Sequence, residues 1–191
     1  VIEGLKSLSE DELLVLINGG KVTPKHSSVS KGDVVVKDGS VFYKGERVES
    51  CLVETINKLQ VEQIPVEGML KFVERLYKNM SYRSRKELLS FVERNGLTID
   101  SEGFLIAYKA VRPDYMDKYS GTIYSGPGSV VEMDRGKVDD NFNNHCSKGL
   151  HAGSLEYVYW YGGGSDRIVI VKIDPKEVVS GPADYDCQKL R

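Results

Sequence analysis

The sequence lacks the charge imbalance that marks a dedicated nucleic-acid binder. Its 26 Lys and Arg residues stand against 28 Asp and Glu, a formal charge of −2, so any phosphate-neutralising surface would have to be a local patch. It has no polybasic membrane signal, no apolar run near the ~18 residues of a membrane span, and no signal-peptide pattern. These absences lead us to expect a soluble, intracellular protein. Cysteine is scarce: Cys51, Cys146 and Cys187 are odd in number and widely spaced, a poor disulfide framework that fits a reducing compartment. No CxxC or HxxxH pair stands at zinc-finger spacing. No internal repeat, low-complexity tract or long linker is present either. The first residue is Val1 rather than Met, so a trimmed piece of a longer protein is expected.

What is present is enough for a packed core: 191 residues, 40% hydrophobic and 28% charged, which is one domain or two small ones. Ser9 and Glu12 have capping-box spacing ahead of Leu13, Leu14, Leu16 and Ile17, predicting a short amphipathic helix that ends at Gly19-Gly20. Asp38-Gly39 between Asp33–Lys37 and Val41–Tyr43 predicts a hairpin with a type I′ turn. Helical periodicity follows over roughly 49–60. A second periodic stretch begins just after Pro65. A third opens on a Ser84…Glu87 capping box and closes at Asn95-Gly96.

Beyond residue 96 the pattern changes class. Leu97–Ile99 and Phe104–Val111 flank a four-residue turn, Asp100–Gly103. Further strands are predicted at Ser129–Met133, Gly149–Ala152 and Asp166–Ile173, the last with an apolar run that suits a central position. Ser154 is placed to cap a brief aromatic helix reaching Tyr161, and Asp174-Pro175 to open one helical turn. Tyr185–Arg191 reads as an edge strand. The expected fold is α+β: an N-terminal helical region with a β-hairpin (1–96), then a mainly antiparallel β domain with one or two short helices (97–191).

The stretch from Gly103 to Ser154 gathers the chemistry-bearing residues. Lys109 and Arg112 end a strand, Arg135 follows another, and His151 precedes a turn at Gly153-Ser154 where a helix N-terminus favours negative charge. With Tyr115 as a stacking face, Lys109, Arg112, Tyr115, Arg135, His151 and Ser154 are candidates for an anion or nucleotide pocket. Cys146 is a candidate reactive thiol if an imidazole such as His151 lies beside it, with Asp117, Asp139 or Asp140 to orient the base. His145, Cys146, His151 and Cys187 are the metal alternative, without the spacing that zinc needs. The His-Ala-Gly-Ser order resembles the His-containing strand of ADP-ribosyltransferases, without a convincing catalytic Glu after it. The structural alternative is that Lys109, Arg112, Asp114 and Asp117 tie down a long loop. No catalytic residue, metal or cofactor is assigned. Arg83, Arg85 and Lys86 are read as a solvated helix start rather than a phosphate contact.

Four segments carry a family resemblance in order: GDVVVKDGSVFYKGERVES, LLSFVERNGLTIDSEGFLIAYKAVRPDYMDKYSGT, CSKGLHAGSLEY and IVIVKIDPKEVVSGPADYDCQKLR. Together they resemble the rIIB family of T-even bacteriophages and its relatives in other tailed phages, over nearly the whole chain. The resemblance implies an early phage protein that acts with an rIIA-like partner against premature lysis and prophage exclusion. It supplies a biological role without a reaction. It places the protein in the host cytoplasm, peripheral at the inner membrane, with a host defence or lysis factor as target. Family members carry an upstream helix-turn-helix-like segment and a further strand beyond the position of Arg191. Neither is part of this sequence, so DNA binding is not expected of it.

Overall fold

The computed structural model describes residues 28–48, 50–96, 98–144, 146–181 and 188–191. The helix expected at Ser9–Ile17, as well as His145 and Cys187, lies outside the described residues. Within them the chain is α+β, with four helices and two antiparallel sheets.

The first sheet is a four-stranded meander of β1 (Val29–Lys31), β2 (Val34–Lys37), β3 (Ser40–Tyr43) and β4 (Glu46–Arg47). Its central turn is the expected one, with Asp38 at φ 50° and Gly39 at φ 71°, the positive pair that a two-residue hairpin needs. The alternation is clean: Val34 and Val36 are buried while Val35 faces out. The outer strands were missed because they are short and polar, and Lys44-Gly45, also both at positive φ, turns the chain into β4 rather than directly into a helix.

Three helices follow: α1 (Leu52–Val61), α2 (Glu67–Tyr77) and α3 (Tyr82–Asn95). Ile56, Leu70, Val73, Leu76, Leu88 and Phe91, which recur at the expected helical spacing, are fully buried, and so is Phe72, which lies off the expected stripe of α2. Gly96 closes α3 at φ 55°, a left-handed C-cap. The start of α3 differs from expectation. Ser81, not Ser84, is the N-cap, its hydroxyl accepting from the Ser84 amide. Ser84 is buried and donates instead to the Val179 carbonyl at 2.6 Å.

The second sheet has the order β7-β5-β6-β8, built from β5 (Leu105–Val111), β6 (Ala152–Gly153), β7 (Arg167–Ile173) and β8 (Lys189–Leu190). The turn before β5 is as read: Gly103 stands at φ 80° and its amide donates to Asp100. Only glycine fits there, because a Cβ would lie 2.5 Å from the Phe72 amide nitrogen of α2. Ser154 caps α4 (Leu155–Tyr161) through the Tyr157 amide.

Two strand expectations fail. Ser129–Met133 forms no strand; Val130 is 86% exposed, and β-propensity without a sheet face to pack against does not hold a strand. The apolar β7 is an edge strand, not a central one. The centre falls to β5, which buries Leu105, Ala107 and Val111 on one face and Ala110 on the other. One hydrophobic cluster joins both sheets and α1–α3, from Val34 and Phe72 through Leu105 to Val178 and Leu190.

Candidate functional site

Between β5 and α4 the chain runs through two long loops, and in both a single side chain gathers backbone groups. In the first, the buried carboxylate of Asp117 accepts from the Ser120 hydroxyl and from the amides of Ser120, Thr122 and Ile123. Burial alone would raise its pKa, but the Ser120 hydroxyl and those three amides outweigh it and hold the carboxyl well below the usual range. The loop is thereby folded into a tight finger that carries Tyr119, 97% exposed, at its tip. In the second loop, the guanidinium of Arg191 donates to the carbonyls of Asp139, Asn141 and Asn144, so the polar stretch around it is wrapped on a cation.

Against this framework the expected pocket residues separate. Lys109 is half-buried and its Nζ donates to the His151 carbonyl at 3.1 Å; burial lowers its pKa, against the opposing charge of Asp117. Lys109 and His151 are therefore brought together, through the backbone of the latter. Arg112 is exposed and lies over Gly121, close enough that a Cβ there would sit 2.6 Å from Nη1. Tyr115 adopts a positive φ of 64°. Its hydroxyl accepts from Arg167, whose guanidinium lies 4.9 Å from the ring centre. Arg135 is far along the chain and clasps Asn79 Oδ1 and the Val178 and Glu177 carbonyls. The Ser154 hydroxyl caps α4 itself. Cys146 is exposed. Among the described residues no group of three His, Cys, Asp or Glu side chains gathers as metal ligands.

The loops are tied down as the structural alternative supposed, though chiefly by carboxylate-to-amide and guanidinium-to-carbonyl bonds rather than by ion pairs. Arg83 and Arg85 likewise bond within the chain, Arg83 to Glu87 and Asp140 and Arg85 to the Asn79 carbonyl.

Two surface grooves stand elsewhere, and neither is lined by Lys109, Arg112, Arg135 or His151. One, of about 700 Å³, runs beside α1 and α2 past Cys51, Met69 and Ile99. The other, of about 740 Å³, lies along α4. Four of the seven residues of α4 are aromatic, and only Val158 is fully buried. A seven-residue helix on one sheet face turns one stripe inward, so the rest must face out. Leu155 is 50%, Tyr159 79% and Trp160 71% exposed. Glu156 and Gln188 bond to each other at the groove edge. Tyr161 is fixed from the other side by Lys118, whose Nζ lies 4.6 Å from the ring centre and also pairs with Asp166. The finger carrying Tyr119 and the aromatic helix are thus joined through one lysine.

The family model described as Bacteriophage T4 protein rIIB matches residues 5–191 of the chain. The protein rIIB of Enterobacteria phage T4 is 35% identical over 181 residues, covering 95% of this chain and 57% of that protein. The chain therefore spans little more than half the length of this curated relative. No solved structure matches it.

Proposed function

Because the chain belongs to the bacteriophage T4 rIIB protein family, we propose that it works by binding other proteins rather than by catalysis. In this reading it acts early in infection with an rIIA-like phage protein. Together they engage a host defence or lysis component in the cytoplasm, peripherally at the inner membrane, and protect the infected cell against premature lysis and prophage exclusion. The observation that carries a binding mode is the outward aromatic surface of α4. Leaving Leu155, Tyr159 and Trp160 in water forgoes roughly 1.5–3 kcal/mol for each large side chain that a partner would bury, and Trp and Tyr are the residue types that dominate binding energy at interfaces. The ion pair and ring contact of Lys118 and the hydrogen bond from Gln188 to Glu156 keep this surface in place before a partner arrives, which limits the ordering cost on association.

Co-purification from infected cells tests the reading. The tagged chain should retain the rIIA-like protein, and a Tyr159→Ser, Trp160→Ser variant with unchanged circular dichroism should lose it. Equal retention by that variant would remove α4 as the binding surface. The ligand alternative makes the opposite forecast in a simpler assay: nucleotides or NAD-like compounds should raise the melting temperature by linkage, and His151→Ala should abolish the rise. The binding reading expects no shift with any of them.

A further inference from the structure

The second sheet is covered unevenly. Helix α4 packs over β5 and β6, and Gly162 at its end stands where a Cβ would be 3.9 Å from the Ala110 Cβ. Directly opposite residues in an antiparallel pair point to the same face. Ile168 stands opposite Ala110 and Ile170 opposite Tyr108, so both isoleucines share the α4 face, beyond the cover of the helix. Ile170, at the middle of β7, is 70% exposed and Ile168 40%. Among the described residues β7 pairs only with β5. Its other edge presents a row of backbone donors and acceptors along seven residues, which an added strand satisfies.

The pattern along that edge is self-complementary. On the α4 face, every second position reads Asp166, Ile168, Ile170, Lys172: acid, apolar, apolar, base. Set antiparallel against a copy of itself and centred on Val169, the strand brings Ile168 opposite Ile170 of the second copy. Asp166 then meets Lys172 of the second copy, twice by symmetry. Centring on Ile170 instead would set Lys172 against Ile168 and Asp166 against Asp174, so the pattern selects the first register. The surroundings keep this polarity. Asp166 pairs with one cation, Lys118, whereas Lys172 is bonded by two carboxylates, Asp100 at 2.8 Å and Glu102 at 2.6 Å. Antiparallel pairing therefore sets the carboxylate-rich Lys172 end of each copy beside the Lys118 end of the other.

We propose that the partner of this edge is a second copy of the chain, joined β7 to β7 about a two-fold axis at Val169. The two four-stranded sheets become one, and the isoleucines of both copies form an apolar floor between the two α4 helices. An isologous contact of this kind closes on itself, which accounts for a long apolar edge that lacks the lysine or proline guards usual at its centre.

Sedimentation equilibrium of the purified chain alone tests this, independently of any rIIA-like partner. The chain should show the mass of two copies, dissociating on dilution and more readily at high salt. Ile170→Lys, at a position too exposed to disturb the core, should raise the dissociation constant at least about tenfold with an unchanged melting curve. Register is read separately, in a Cys146→Ser background. An oxidised mixture of Ile168→Cys and Ile170→Cys chains should cross-link far more than either alone. A single-chain mass at every concentration, an Ile170→Lys dimer as tight as the parent, or equal cross-linking of the unmixed chains would each overturn the proposal.

Discussion

At the scale of single residues, the side chains that matter most to the fold are polar and buried. Asn79 is 1% exposed and uses both ends of its amide: Nδ2 donates to the Pro175 and Val178 carbonyls, and Oδ1 accepts from Ser81 and Arg135. Truncating it leaves several buried partners unsatisfied. Asn79→Ala should lower the unfolding free energy by about 2–4 kcal/mol, measured by urea titration. Asp117 makes a forecast about acid. Its folded pKa is held below its unfolded value, so it contributes stability fully above that value and loses the contribution as the pH falls. Stability should therefore drop as the pH is taken below about 4, and Asp117→Asn should make that decline shallower when melting is followed against pH. Neither residue announced its full role in the sequence. Asp117 was legible only as one of several loop ties, because Asp-x-x-Ser-Gly-Thr has turn chemistry that residue types alone can show. Asn79 was not legible, since its partners lie 96 and 99 residues away. Arg135 looked like an anion ligand for the same reason: a cation after an apolar run gives no hint that its acceptors are carbonyls of a distant segment.

At the scale of elements, local chemistry was legible wherever the signal was short-range. The Asp38-Gly39 turn, the Asp100–Gly103 turn, the Gly96 cap and the Ser154 cap all stand where residue type and spacing put them. The α3 start departs for a tertiary reason. Glu87 was read as the closing half of a capping box, but it reaches outward, accepting from the Ser180 hydroxyl at 3.0 Å and the Gly181 amide at 2.8 Å while pairing with Arg83. It fastens the C-terminal segment to α3 rather than the helix to its own N-terminus. Glu87→Ala should thus cost about 1–3 kcal/mol, and hydrogen exchange should show faster exchange at Ser180 and Gly181 while the α3 amides keep their protection. Sheet order was illegible for a related reason. A run such as Ile168–Ile173 is as apolar at an edge as at a centre, and only the pairing of β5 on both sides assigns the positions. The exposed α4 aromatics were foreseeable in part: a helix with aromatics at four of seven positions has more large side chains than one buried stripe can take.

At the scale of the whole molecule, α1–α3 and both sheets share one hydrophobic cluster, and the Arg75–Asp174 pair at 2.8 Å binds α2 to the segment after β7. The change of pattern at residue 96 is a change of secondary structure across a continuous core. Lys118, paired with Asp166 and lying over the Tyr161 ring, joins the Tyr119 finger to α4, and it is this presented surface that the proposed binding role requires. The described residues contain no helix long and apolar enough to cross a membrane. The most direct measurement is calorimetric titration of the rIIA-like protein into the wild-type chain and into Trp160→Ala. Saturable binding is expected, weakened in Trp160→Ala by about 2 kcal/mol, near 30-fold in Kd, with the melting temperature unchanged. Equal affinity for the two chains, or no heat of binding with either, would contradict the proposed binding role.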